Sequence, residues 1–254
     1  MQRYFIKLSY NGTAYNGWQI QDNTSATVQQ TINEALSMVL NQSVMVTGCG
    51  RTDTGVHAKE FYAHFDCDKI NLLDEHDKWV YKFNQVLPAD IAIQQIFAVK
   101  ADASSRFDAV SRTYQYFISK YKDPFMINRT YYINSDLNVD EMNGAAKVLF
   151  EYTDFSAFSK SNTQTFTNNC KIHAAEWKSE KDTLVFTITA DRFLRNMVRA
   201  IVGTLLDIGK GKLGVDDFKK IIESKERSNA GFSVPACGLY LTKVEYPENY
   251  FNEQ

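Results

Sequence analysis

Cysteine is scarce and scattered. Cys49, Cys67, Cys170 and Cys237 are the only 4 in 254 residues, with no Cys-x-x-Cys and no neighbouring histidine pair. That spacing signals neither a zinc site nor a disulfide framework and leaves four buried or free thiols. Long apolar runs are missing as well: nowhere do about 18 apolar residues stand together, the length a membrane helix needs. Met1-Gln2-Arg3-Tyr4 opens directly into an alternating pattern without an apolar signal segment. The expectation is a soluble, cytoplasmic protein with no membrane association. Charge of one sign is not in surplus either. A net charge of -2 rules out a polycation, so a nucleic-acid partner has to be met by a local patch. No Pro/Gly/Ser-rich linker and no internal repeat divides the chain. Apolar residues make up 44%, with 17 Phe and 14 Tyr, which suits one large or two small globular domains. Most aromatics fill cores, although a few on a sheet face can stack on bases.

The densest chemistry lies in Gly48-Cys49-Gly50-Arg51-Thr52-Asp53-Thr54-Gly55-Val56-His57-Ala58, which sets three glycines, an arginine and a carboxylate between two apolar runs. Gly48, Gly50 and Gly55 imply a tight backbone path that presents Asp53. Arg51 is positioned to pair with Asp53 or to hold a phosphate, since guanidinium suits both oxyanions. A solvated turn between strands 44–47 and 60–66 is the competing reading, because Asp and Gly are ordinary turn residues.

Along the chain, Tyr4, Ile6, Leu8 and Tyr10 alternate as in a strand, and Asn11-Gly12 marks a turn. Thr27 to Gln30 has capping-box spacing, with Val28, Ile32, Ala35, Leu36, Val39 and Leu40 on one helical face. An acidic stretch (Asp66, Asp68, Asp74, Glu75 and Asp77 against Lys69) leads into a helix over 79–86, and its charge keeps it away from phosphates. Strand 91–99 follows. Then Ser105-Arg106-Phe107-Asp108-Ala109 precedes a strand whose one face carries Arg112, Tyr114, Tyr116 and Ile118. Packing against a helix is the plain reading of those tyrosines. A short strand is expected at 131–133. Asn138 and Glu141 mark a second capping box before a helix striped by Met142, Ala145, Ala146 and Leu149. The segment 152–169 reads as an ordered loop anchored by Phe155, Phe158 and Phe166, and strands 171–178 and 183–190 come after it.

A helix over about 193–208 buries Leu194, Met197, Val198, Ile201, Val202 and Leu205, and its other strip carries Arg192, Arg195, Arg199 and Gly203 at helical spacing. Arg192, Arg195, Arg199, Lys210 and Lys212 face only Asp207 in this region, which makes it the leading anion-binding candidate. A solvated charged face explains the outer residues equally well, whereas Arg199, flanked by Val198, Ala200, Ile201 and Val202, suits burial beside a carboxylate. A short helix near 215–222, strand 239–245 and a frayed tail close the chain. Strands outnumber helices and lie close in sequence, so the fold class is α+β with a largely antiparallel sheet. A division into 1–103, 104–246 and a 247–254 tail fits, with the Asp53 loop of the first half meeting the Arg199 helix of the second across a cleft.

Six motifs in register resemble the bacterial tRNA pseudouridine synthases of the TruA family. They are Tyr10-Asn11-Gly12-Thr13 with Gly17-Trp18-Gln19; Thr27-Val28-Gln29; Gly50-Arg51-Thr52-Asp53 with Gly55-Val56-His57-Ala58; Arg106-Phe107-Asp108-Ala109 with Arg112-Thr113-Tyr114; Phe193-Leu194, Met197-Val198-Arg199 and Ile201-Val202-Gly203; and Pro235-Ala236-Cys237-Gly238-Leu239-Tyr240-Leu241. They span nearly the whole chain. The resemblance implies two similar halves that share a mixed, largely antiparallel sheet with flanking helices around a central basic cleft, working as a homodimer on tRNA. The implied reaction turns uridine into pseudouridine at positions 38 to 40 of the anticodon stem-loop, with no metal and no organic cofactor. Asp53 is then the nucleophile, Tyr114 stacks on the target base and Arg199 pairs with Asp53. Arg51 and Arg106 help to hold the RNA, alongside the basic strip of Arg192 and Arg195. Thr54 stands where many members have Ala, and Phe232-Ser233-Val234 replaces a more usual Thr-Ala before Pro235.

Physical logic runs the same way. Converting an N-glycosidic into a C-glycosidic link requires the base to leave the sugar, rotate and reattach, so it must first leave the stack. An aromatic face then stands in for its lost neighbours, at about 1–3 kcal/mol per base. Burial by itself disfavours an ionised carboxylate, and a neighbouring guanidinium offsets that penalty. Other readings differ in what they require. Asp53-Thr54-Gly55 is also an aspartic-protease tripeptide, yet no second copy exists in the chain. A retaining glycosidase needs a second carboxyl group about 5–5.5 Å from the first, and the surrounding sequence offers no obvious one. A non-catalytic RNA-binding protein could use the same cations and aromatics without turnover.

Overall fold

Alternation of apolar and polar side chains from Tyr4 to Tyr10 produces β1 (Gln2–Tyr10). In a computed structural model of the protein, described over residues 1–24, 26–68, 71–160 and 166–251, β1 is central to the first of two units. That unit comprises residues 1–110 and 241–254, and the second comprises 111–240. After β1 come α1 (Val28–Leu40), β2 (Thr47–Gly48), β3 (His57–Cys67), α2 (His76–Val86) and β4 (Ile91–Val99). Both β3 and β4 run antiparallel to β1, and β2 adds to β3. Lys69 of the expected acidic stretch lies outside the described residues.

One sheet face is aliphatic and aromatic throughout. Tyr4, Ile6 and Leu8 stand opposite Phe65, Ala63 and Phe61, and all six are buried. Helix α1 buries Val28, Ile32, Ala35, Leu36 and Leu40. Its cap is half a capping box: Thr27 Oγ1 accepts from Gln30 N at 3.3 Å, but the Gln30 side chain turns to Glu34. Each buried aliphatic side chain is worth about 1.5–3 kcal/mol and a cap about 1 kcal/mol, so packing holds α1 in place.

The opposite face departs from the expectation of a frayed tail. Phe5 is fully buried because Tyr246, Tyr250 and Phe251 pack on it, with ring centroids 5.8, 5.8 and 5.9 Å away. Phe251 also stacks on Phe97 at 4.4 Å. The tail is therefore an aromatic cover over the sheet as far as Phe251, and residues 252–254 lie outside the described residues.

The second unit contains β5 (Ser111–Ser119), β6 (Tyr131–Tyr132), α3 (Val139–Val148), β7 (Ile172–Glu180), β8 (Thr183–Ala190), α4 (Met197–Gly209) and α5 (Val215–Ser224). β8 pairs antiparallel with both β5 and β7, and β6 runs parallel to β5. The last strand, β9 (Leu239–Glu245), belongs to the first unit from Leu241 onward and hydrogen-bonds β3. The antiparallel pairings of β1 with β3 and β4, of β2 with β3 and of β8 with β5 and β7, the parallel β5–β6 pair and the flanking helices make the fold α+β, as expected. Asn138 Oδ1 caps α3 by accepting from Glu141 N at 3.2 Å. Phe155 and Phe158 are buried anchors of the following loop, but Phe166 is exposed. Residues 161–165 of that loop lie outside the described residues.

Helix α4 starts at Met197 and not near Phe193. Asn196 takes a left-handed φ of 68°, which breaks helical continuity, and Asn is among the few residues that tolerate it. Arg192 and Arg195 consequently lie in the loop before the helix, and only Arg199 and Gly203 share a helical edge.

Candidate active site

In the first unit the backbone on either side of Asp53 is fixed by bonds to Thr52 and Val56. Trp18 N donates to Thr52 O at 3.1 Å, and Thr52 Oγ1 lies 2.8 Å from the Tyr10 hydroxyl. On the other side Val56 N donates to Asp53 O at 3.1 Å and Gly55 N to Tyr15 O at 3.3 Å. Gly17 makes this closure possible: it takes φ +88°, and a Cβ there would stand 2.5 Å from Thr52 O. Buried His57 accepts from Gly12 N through Nδ1 at 3.0 Å, which ties the Asp53 loop to the Asn11-Gly12 turn. Asp53 itself is half-buried.

The loop glycines divide differently from expectation. Gly55 has φ +77° and Gly48 lies against the Trp18 indole, yet among the described residues nothing stands within 4 Å of where a Gly50 Cβ would be. Arg51 is exposed. Arg106 is also exposed, with its guanidinium carbon 5.2 Å from the centre of the Phe107 ring.

In the second unit Tyr114 lies on β5 opposite Ile188 of β8. It is half-buried, and a perpendicular contact with Phe193 at 5.1 Å sets its ring plane. Tyr116, its neighbour on the same face, is fully buried and donates to Pro235 O at 2.8 Å. The two tyrosines that the sequence could not separate thus differ: one is core and the other borders solvent.

Arg199 is half-buried and tied to one residue twice. Its Nε donates to Val234 O at 2.7 Å, and Val234 N donates to Arg199 O at 3.2 Å. One turn on, a Cβ at Gly203 would stand 1.8 Å from Phe232 O. Gly203 therefore admits the protein's own 232–234 segment, and that segment aims the Arg199 guanidinium. Ser233 strengthens the clasp by accepting from Asn196 Nδ2 at 2.5 Å and Arg227 Nη2 at 2.8 Å. Sequence reading missed Thr52, Tyr10 and Val234 as positioning residues, although the first two lie inside the motifs.

Of the remaining cations, Arg195 is exposed and Arg192 half-buried. Lys212 lies 3.5 Å from Asp207, an ordinary solvated pair. None of the four cysteines is in a disulfide, and burial pushes Cys170 up to about 12, which keeps it protonated and unreactive. Among the described residues no cluster of His, Cys, Asp and Glu could hold a metal ion, and no helix is long and apolar enough to cross a membrane.

The first unit thus carries an Asp53 loop braced at Thr52 and Val56, and the second carries a half-buried tyrosine on β5. The family described as tRNA pseudouridine synthase matches residues 145–247. Tyr114 and the Asp53 loop precede that stretch, and whole-chain relatives cover them. The tRNA pseudouridine synthase A of Bacteroides fragilis is 52% identical over 252 residues, 99% of each chain. That of Parabacteroides distasonis is 51% identical over 99% of this chain and 98% of its own. The more distant one of Francisella tularensis subsp. novicida is 37% identical over 100% of this chain and 98% of its own. The chain belongs to the tRNA pseudouridine synthase A family, and it is an isomerase.

Proposed function

We propose that this enzyme converts uridine to pseudouridine at positions 38 to 40 in the anticodon stem-loop of tRNA. Asp53 is the nucleophile, attacking the sugar or the base so that the N1 to C1′ bond breaks. The freed uracil rotates, a C5 to C1′ bond forms, the bond to Asp53 breaks and returns its carboxylate, the C5 proton departs and N1 regains one. The sum is an isomerisation, needing no metal, cofactor or co-reactant. Tyr114 stacks on the extracted base, and Arg199 pairs with the Asp53 carboxylate across a basic cleft. Arg51, Arg106, Arg192 and Arg195 hold the RNA. The working form is a cytoplasmic homodimer, with residues 1–103 and 104–246 as its two catalytic halves and 247–254 as the tail.

The observation that carries this reading is the Thr52 crossing, in which Trp18 N and the Tyr10 hydroxyl engage one residue. Such bracing suits a group that must be held in place while its target moves. The relatives' shared name supports tRNA as the substrate. A purified anticodon stem-loop transcript, incubated with enzyme alone, is expected to gain pseudouridine at 38 to 40. Asp53→Asn should abolish turnover while RNA binding survives. Appreciable product from that variant refutes Asp53 as nucleophile, and product mapped elsewhere refutes the positions.

A further inference from the structure

The loop that carries Arg106 is pinned more tightly than an exposed turn requires. Ser105 is fully buried. Its Oγ donates to Thr47 O at 2.7 Å, its N–H donates to His64 Nδ1 at 3.2 Å, and its carbonyl accepts from the Tyr246 hydroxyl at 2.6 Å. Asp108 fixes the far side: its Oδ2 accepts from Ser104 N at 2.8 Å and from the Tyr250 hydroxyl at 2.6 Å. Between these anchors Phe107 is 80% exposed, with Arg106 against its ring. Thr47 lies on β2, which runs straight into the Asp53 loop.

A lone apolar side chain in water is ordinary where a loop is loose. Here the anchors on both sides fix the backbone that presents the ring, and the ring itself faces solvent outside the core. Extracting a base from a stack leaves its neighbour without a partner, and an aromatic face recovers that stacking whatever the base.

We propose that Phe107 is an RNA-stacking residue, taking on its ring a base next to the uridine that enters the site, with Arg106 alongside to meet the backbone. This rests on the reading above of Asp53 as the catalytic group. The C-terminal tyrosines have a consequent task, since Tyr246 and Tyr250 brace both ends of the presenting loop.

The test compares wild type with Phe107→Ala, Phe107→Leu and Phe107→Tyr, measuring the dissociation constant for an anticodon stem-loop RNA, kcat and KM for pseudouridine formation, and the melting temperature. Phe107→Ala and Phe107→Leu are expected to weaken binding about 5- to 150-fold, the span of one stacked base. Phe107→Tyr should stay within about threefold, because every aromatic ring offers a face. All four melting temperatures should agree, since the ring is outside the core. Phe107→Ala within about twofold of wild type overturns the proposal. Wild-type binding by Phe107→Leu overturns it too, by showing that bulk and not a ring face is needed. A wild type that binds RNA through Phe107 yet forms no pseudouridine would instead sink the catalytic reading.

Discussion

Replacing Gly17 by alanine asks whether Asp53 depends on a backbone crossing far from it in sequence. At φ +88° an alanine pays the left-handed penalty of about 1–2 kcal/mol. Its Cβ would also stand 2.5 Å from Thr52 O, and the obstacle is main chain, which cannot rotate away. Moving it stretches the Trp18 N to Thr52 O bond of 3.1 Å, worth about 1 kcal/mol, and overpacking adds about 1–3 kcal/mol. The total, about 3–6 kcal/mol, is a large share of the roughly 5–15 kcal/mol that holds a domain together. Urea unfolding followed by tryptophan fluorescence is a suitable assay, since Trp18 stacks on Phe61 at 4.1 Å within the affected unit. We expect destabilisation of at least about 3 kcal/mol. We also expect at least tenfold slower pseudouridine formation at temperatures where the variant is folded, because a displacement of about 1 Å can cost 10²-fold. A Gly17→Ala protein within about 1 kcal/mol of wild type, with unchanged turnover, would refute the link between this crossing and Asp53.

Other perturbations test separate joints. Arg199→Lys replaces a planar fork, whose Nε is engaged by Val234 O, with a single ammonium that cannot keep that bond and still reach a carboxylate. Turnover should fall about 100-fold or more beside a loss of about 1–3 kcal/mol in unfolding from the orphaned Val234 carbonyl, and wild-type turnover would remove Arg199 from the mechanism. Acidification probes His64, whose imidazole burial pulls below its ordinary value. From about pH 6.5 down to that lower folded value, the unfolded chain binds a proton the folded chain does not, so stability falls with pH. The stability difference between wild type and His64→Gln should shift against wild type from pH 7.5 to 5 on that count; a constant difference would mean the ring titrates normally. Asp66 behaves oppositely. Arg3 grips both its oxygens, at 2.8 and 2.9 Å, and holds the carboxyl below the usual carboxylate range. That stabilisation is complete above about pH 4 and fades as pH drops through the depressed folded value. Asp66→Asn should therefore cost about 0.2–1 kcal/mol at pH 7 for a partly exposed pair and nothing in strong acid, and an equal cost at both would refute the pairing.

Periodicity revealed those elements whose reason for existing is local. The stripes of α1 and α3, their Thr27 and Asn138 caps, and strand 239–245 were legible because burial and capping act over a few residues. What escaped was long-range or depended on φ. Helix α4 was extended back toward Phe193 because Leu194 continues the apolar spacing, whereas the left-handed turn at Asn196 has no periodic trace. The tail looked frayed because Tyr246, Tyr250 and Phe251 stand among Asn and Glu at a chain end, and their partners Phe5 and Phe97 lie far away in sequence. Asp53 drew attention through glycines that proved unequal: Gly55 bends the chain, Gly48 makes room for Trp18, and Gly50 does neither. The residue that matters most to that loop's backbone, Gly17, belongs to a separate motif, and only folding shows that the two motifs are one device. Local composition can therefore nominate a candidate group, but what fixes the backbone around such a candidate is recorded in pairs of distant residues, such as Gly17 with Thr52 or Arg199 with Val234.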